Sequence, residues 1–88
     1  MTIAEAIRKL RGEESQQFFA SDLRISLRAF HHYEAGLRLP EPRQLVALAC
    51  HADRVGEAEM RAMFLRELVK QLRPLQDFEA TVELRRAK

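Results

Sequence analysis

The sequence predicts an all-α fold of five helices with an extended C-terminal helical segment. Three observations support this prediction. Apolar residues recur every three or four positions along most of the chain, which is the period of an amphipathic helix. Hydroxyl residues that favour the first turn of a helix precede three of these stretches, at Thr2, Ser15 and Ser26. Glycines, which favour helix ends, follow three of them, at Gly12, Gly36 and Gly56.

Length and composition limit the chain to one small domain. With 88 residues, 47% of them apolar and 32% charged, it can form one compact core but not a multidomain enzyme. The single cysteine, Cys50, excludes an internal disulfide framework and indicates a reducing compartment. We expect Cys50 to be buried as a small apolar side chain. No apolar run approaches the ~20 residues of a membrane span and the N-terminus lacks a signal-peptide layout, so a cytoplasmic location without membrane contact is predicted.

The first two helices are predicted from their caps. Thr2 and Glu5 form a capping box, which predicts a helix over residues 3–11. Ser15 can cap a second helix that ends near Asp22 or Leu23. The residues expected to face inward from this second helix are Phe18, Phe19 and Leu23.

The third helix has one apolar face and one basic face. Ser26 can cap it, and it is expected to cover about residues 26–35. Its inward stripe consists of Ala29, Phe30 and Tyr33. The residues on or near its opposite side are Arg28, His31 and His32. No acid occurs between Leu23 and Tyr33, although the chain as a whole has a formal net charge of only +2. This local excess of positive charge suggests an anionic partner.

The rest of the chain is expected to form a loop and two helices. Two prolines make residues 37–42 extended, and a fourth helix follows with Leu45, Leu48 and Ala49 inward. A break at residues 53–56 precedes a fifth helix whose apolar face is too broad for a lone surface helix: Met60, Met63, Phe64, Leu65, Leu68, Val69 and Leu72. Pro74 is expected to interrupt it. Residues 78–84 alternate with the period of a strand, yet their composition favours helix, which we predict; a strand there would imply pairing with a second subunit.

The stretch 15–36 resembles the helix-turn-helix DNA-binding domain of the phage repressor, Cro and XRE family. The residues that carry the resemblance, in order and without a gap, are Ser15-Gln16, Phe19-Ala20, Leu23-Arg24-Ile25-Ser26, Phe30 and Tyr33-Glu34-Ala35-Gly36. Downstream, Arg38-Leu39-Pro40, Leu45 and Leu48-Ala49 extend it to about residues 3–55. The chain departs from the family at Arg24, which stands where a glycine with positive φ is usual, so we expect strain there or a different turn.

The resemblance implies a repressor-like DNA-binding domain over residues 1–56 and a C-terminal extension over 57–88. It implies that four residues of the third helix read base edges in the major groove: Leu27, Arg28, His31 and His32. It further implies four contacts to DNA phosphates, from Gln16, Arg24, Arg38 and Arg43. Glu34 would then be structural, paired with Arg8 or Lys9 of the first helix.

The function predicted from this resemblance is a sequence-specific DNA-binding transcriptional regulator on double-stranded DNA, acting as a homodimer through residues 57–88 on an inverted repeat. Leucines at the spacing of a coiled-coil seam support the dimer, at Leu65, Leu68, Leu72 and Leu75. The alternative for this segment is that its helix packs on the same core and only closes the monomer. The alternative is an antitoxin-like or adaptor protein whose C-terminal segment binds a protein partner. No enzyme motif occurs, and the adjacent pairs His31-His32 and Cys50-His51 lack the spacing of metal ligands on a helix. We therefore predict no catalytic residues, no metal and no cofactor.

Overall fold

A computed structural model describes the backbone of residues 1–86 and the side chains of residues 1–73. Within this part of the chain there are five helices and no strand. The helices are α1 (Ile3–Arg11), α2 (Gln16–Asp22), α3 (Leu27–Glu34), α4 (Pro42–Arg54) and α5 (Ala58–Arg86). The predicted all-α fold of five helices is confirmed.

The first three helices begin at the hydroxyl residues expected from the sequence. In each case the hydroxyl oxygen accepts a hydrogen bond from the backbone N–H three residues ahead, at 3.0 to 3.2 Å; the three caps are Thr2, Ser15 and Ser26. Each cap satisfies an N–H that has no partner inside the helix and contributes about 1 kcal/mol to stability. The start of α4 is closed instead by Gln44, whose side-chain oxygen accepts the backbone N–H of Glu41 at 3.1 Å.

All five helices contribute side chains to the core. The rings of Phe19 and Phe30 pack edge to face with their centroids 5.7 Å apart, and His51 packs edge to face on Phe19 at 5.2 Å. The other large side chains that are fully enclosed are Tyr33, Ile7, Leu45, Leu48, Phe64 and Pro40. These contacts fix the orientation of α3 relative to its neighbours, and with it the direction of the α3 outer face.

Two side chains expected inside lie at the surface. Phe18 is 65% exposed, because Phe19 occupies the core position and adjacent residues of a helix diverge by about 100°. Cys50 is exposed for the same reason, since Ala49 and Ala52 take the inward positions of α4. The prediction that Phe18 and Cys50 are buried is wrong.

Helix α5 packs mainly on α4 and also touches α1. Met60 and Phe64 belong to the same core as the first four helices, and Gln71 donates a hydrogen bond to the carbonyl oxygen of Pro40 at 2.9 Å. The helix then continues through Pro74 to Arg86, so the expected interruption at Pro74 is wrong. Proline removes one backbone hydrogen bond, and the flanking residues, rich in Leu, Gln and Arg, are good helix formers. Residues 78–84 are helical, as predicted. The Leu75 side chain of the proposed seam lies outside the described side chains.

Candidate nucleic-acid interface

Helices α2 and α3 are joined by a four-residue turn, residues 23–26, that closes with two backbone hydrogen bonds. The N–H of Arg24 bonds the carbonyl of Ser21 at 3.1 Å, and the N–H of Ile25 bonds the carbonyl of Ala20 at 2.8 Å. This is the Schellman pattern, in which the residue after the C-cap adopts a left-handed conformation. Arg24 has φ of 57°, and among the described residues it is the only one other than glycine with positive φ.

The same pattern ends α3, with a glycine in the corresponding position. There Gly36 has φ of 74°, and the N–H groups of Gly36 and Leu37 bond the carbonyls of Tyr33 and His32. Arg24 therefore adopts a left-handed backbone conformation that glycine adopts without steric cost. The strain expected at this position is present.

The outer face of α3 carries the residues that the sequence suggested for base reading. Arg28 and His31 are exposed, and Leu27 is 39% exposed. His32 is half-buried, since it lies between this face and the side of the helix that packs on the core. The structure thus brings three of the four residues onto an open surface and leaves the fourth at its edge. Ser26, which caps α3, fixes the first turn that carries Leu27 and Arg28.

Three of the residues suggested for phosphate contact are exposed arginines: Arg24, Arg38 and Arg43. Arg24 and Arg43 line one hollow between the α2–α3 turn and the first turn of α4. Glu41 lines the same hollow and forms an ion pair with Arg38 at 3.2 Å. Both members of this pair are exposed, so it is a weak, solvent-screened contact.

Gln16 and Glu34 form part of a polar cluster between α1, α2 and α3. The carboxylate of Glu34 is buried, with only 5% of the residue exposed. Its Oε2 accepts Arg11 Nε at 2.6 Å, and its Oε1 accepts Arg11 Nη2 at 3.2 Å and Gln16 Nε2 at 2.7 Å. A side-chain amide nitrogen has two hydrogens, so one N–H of Gln16 remains for another acceptor.

The prediction that Glu34 pairs with Arg8 or Lys9 is wrong. Arg11 pairs with the carboxylate, while Arg8 donates to the backbone carbonyl of Glu34, and Lys9 forms no ion pair with the described residues. Arg8 and Arg11 are three residues apart and therefore share one face of α1, whereas Lys9 is rotated by about 100° from Arg8. That spacing is the sequence signal that could have identified Arg11.

A second contact missed by the sequence analysis ties α3 to α4. The hydroxyl of Tyr33 donates to the side-chain oxygen of Gln44, the same oxygen that closes the start of α4. Nothing in the spacing of Tyr33 and Gln44 indicates this bond, because it depends on the path of the intervening loop. It holds the first turn of α4, and thus Arg43, at a fixed place beside α3.

The side chains within residues 1–73 contain no group of three or more His, Cys, Asp or Glu residues that could hold a metal ion. Among the described residues, no helix is both long enough and apolar enough to cross a bilayer.

Comparisons with models of protein families, with curated proteins and with solved structures gave no match to this chain.

Proposed function

We propose that the protein is a sequence-specific DNA-binding transcriptional regulator that places α3 in the major groove. The observation that supports this most is the division of α3 into two faces. Phe30 and Tyr33 anchor one face in the core, and Arg28 and His31 project from the other. The major groove is about 12 Å wide, which accommodates a helix of about 10–12 Å with its side chains. The basic character of residues 23–33 supports an anionic ligand.

Each exposed residue of α3 has a chemical role in this proposal. The planar guanidinium of Arg28 can donate two parallel hydrogen bonds to O6 and N7 of guanine. Leu27 can contact the methyl group of thymine, and His31 and His32 can donate to base or phosphate acceptors.

The contacts to the DNA backbone come from the surrounding arginines. Arg24 and Arg43 share one hollow and together can contact adjacent phosphates. Arg38 must exchange its ion pair with Glu41 for a phosphate, which costs little because both groups are exposed. Gln16 contributes through the N–H that does not bond Glu34.

A homodimer through residues 57–88 is part of the proposal. One such module makes few base contacts, and joining two modules raises affinity because the second binding event becomes intramolecular. A two-fold dimer would bind an inverted repeat with half-sites about one helical turn apart.

The test is selection of bound sequences from random duplexes at about 150 mM salt. Three proteins are compared: the wild-type chain, Arg28→Ala, and Arg54→Ala as an exposed arginine on the far end of α4. We expect an inverted repeat for the wild type and for Arg54→Ala, and a weakened guanine preference for Arg28→Ala. If no sequence is enriched above background with the folded wild-type protein, the proposal is wrong.

The second candidate is the antitoxin-like or adaptor protein, in which α5 binds another protein. The exposure of Leu65 and Val69 on α5 favours it. Purification of the full chain with one stoichiometric partner, lost in Leu65→Glu but retained in Arg28→Ala, would support this candidate over the first.

A further inference from the structure

The side chain of Gln44 is held in one orientation by two hydrogen bonds at the start of α4. Its Oε1 accepts the hydroxyl of the buried Tyr33 and the backbone N–H of Glu41, the latter at 3.1 Å. A backbone N–H can only donate, so the amide atom of Gln44 that faces Glu41 must be the oxygen. The amide nitrogen, Nε2, therefore lies on the other side of the amide group and is not used by either contact.

The Nε2 atom of Gln44 carries two N–H groups that no described residue accepts. Among the described residues, Gln44 forms its side-chain hydrogen bonds through Oε1 alone. Gln44 is half-buried, yet no buried side-chain nitrogen or oxygen in residues 1–73 lacks a hydrogen-bond partner. Nε2 is thus not a buried atom but one that solvent reaches. It offers donors whose orientation is already fixed, so a ligand that accepts them costs little further ordering of the side chain.

Gln44 lines the same hollow as Arg24 and Arg43. This hollow has a volume of about 330 Å³ and adjoins the turn that leads into α3. One carboxylate also lines it, that of Glu41, which pairs with Arg38 at 3.2 Å. The ion pairs between described side chains include neither Arg24 nor Arg43. With two arginines and one glutamate in its lining, the hollow has a formal charge of +1, which favours an anionic ligand.

We propose that Gln44 is a further phosphate-binding residue, whose Nε2 donates to a non-bridging oxygen of a DNA phosphate held between Arg24 and Arg43. A phosphate can accept several hydrogen bonds at once, and a bond to a charged acceptor is stronger than one between neutral groups. Because Oε1 is occupied by Tyr33 and Glu41, the amide presents only donors to the hollow. The bond from Tyr33 also fixes this donor relative to α3, the helix to which Tyr33 belongs.

This inference deepens the proposed function and rests on it. Its experiment measures binding of the full chain to a random-sequence duplex by fluorescence anisotropy at about 50 mM salt, where phosphate contacts act on every sequence alike. The variant Gln44→Glu keeps an oxygen acceptor for Tyr33 and for the N–H of Glu41, since glutamate and glutamine both serve at this position of a helix start. It replaces the donor with a carboxylate oxygen.

The matched control is Ala47→Glu. Ala47 lines the same hollow, so this variant adds the same charge beside Arg24 and Arg43 but leaves the amide of Gln44 in place. We expect Gln44→Glu to bind the duplex at least about tenfold more weakly than Ala47→Glu does, because only Gln44→Glu loses a hydrogen bond to a charged acceptor. Circular dichroism checks that both variants are folded.

A second measurement needs no variant and decides the question if either variant unfolds. In ¹H–¹⁵N spectra of the wild-type chain, the side-chain amide protons of Gln44 should shift downfield and exchange more slowly with water when the duplex is added. The side-chain amide of Gln71 already donates to the carbonyl oxygen of Pro40 and lies on α5. Its signals should not move, which makes it the internal reference.

Two results would overturn the assignment of Gln44 while leaving DNA binding by α3 intact. One is equal affinity of Gln44→Glu and Ala47→Glu for the duplex; the other is a Gln44 amide signal that the duplex leaves unchanged. A failure of sequence recognition alone has a different signature, since the random duplex still binds, Gln44→Glu still weakens it, and only the base preference is absent. A folded wild-type chain that binds no duplex at this salt concentration contradicts both proposals.

Discussion

Arg11 holds the buried carboxylate of Glu34 with two hydrogen bonds, from Nε at 2.6 Å and from Nη2 at 3.2 Å. This pair joins the last turn of α1 to the last turn of α3, and Gln16 adds the first turn of α2. A buried carboxylate is stable only when it is paired, so the three helices are held together at one point. The position of α3, and with it the direction of Arg28, depends on this contact as well as on the aromatic core.

Replacing Arg11 with alanine should destabilise the fold by about 2–3 kcal/mol. The change leaves Glu34 buried with a neutral partner only; the cost is below the 3–5 kcal/mol of a fully buried pair because Arg11 is 21% exposed. Urea unfolding followed by circular dichroism measures the loss. The control Lys9→Ala, an exposed residue of the same helix, should stay within about 0.5 kcal/mol of the wild type. A free energy of unfolding for Arg11→Ala equal to that of Lys9→Ala would show that the pair contributes nothing.

Replacing Arg24 with glycine should stabilise the fold by about 0.5–1 kcal/mol. The left-handed conformation costs a residue with a side chain about 1–2 kcal/mol, and the greater entropy of glycine in the unfolded chain offsets part of the gain. In a domain of this size, we expect Tm to rise by roughly 2–8 °C. Arg24→Ala separates conformation from charge, since alanine keeps the strain and removes the guanidinium. A glycine variant no more stable than the alanine variant would contradict this account of the turn.

Phe30 and Phe18 provide a matched pair of aromatic truncations. Phe30 is fully buried and packs on Phe19, so Phe30→Ala should cost about 3–5 kcal/mol and abolish any DNA binding by unfolding the domain. Phe18 is 65% exposed, and Phe18→Ala should change stability by no more than about 0.5 kcal/mol. Thermal unfolding measured by circular dichroism distinguishes the two. Equal losses in both variants would mean that α2 packs on the core through a different face.

Local signals in the sequence were sufficient to locate the starts of the first three helices. The caps at Thr2, Ser15 and Ser26 each bond a backbone N–H only three residues ahead, so no distant contact is needed. The same signals were insufficient wherever two adjacent residues competed for one inward position. Phe18 and Phe19 have the same apolar area, and only the packing of Phe19 against Phe30 and His51 decides between them.

The candidate interface was predictable to a similar extent. The exposure of Arg28 and His31 follows from the apolar stripe on the other side of α3, which is visible in the sequence. The partner of Glu34 and the bond from Tyr33 to Gln44 depend on how α1 and the loop after α3 approach α3, which no local pattern specifies.

Arg28 and Arg43 should affect DNA binding in different ways. If Arg28 bonds guanine through its planar fork, Arg28→Lys keeps the charge but loses the second hydrogen bond, so discrimination at that base pair should fall by about 1–3 kcal/mol while the salt dependence stays unchanged. If Arg43 contacts a phosphate, Arg43→Ala should weaken binding to all sequences alike and lower the slope of log K against log salt by about one. Fluorescence anisotropy on the selected site and on a scrambled duplex, between about 50 and 300 mM salt, measures both effects. A uniform loss across sequences in Arg28→Lys would assign Arg28 to the phosphates and require another residue of α3 to read the base.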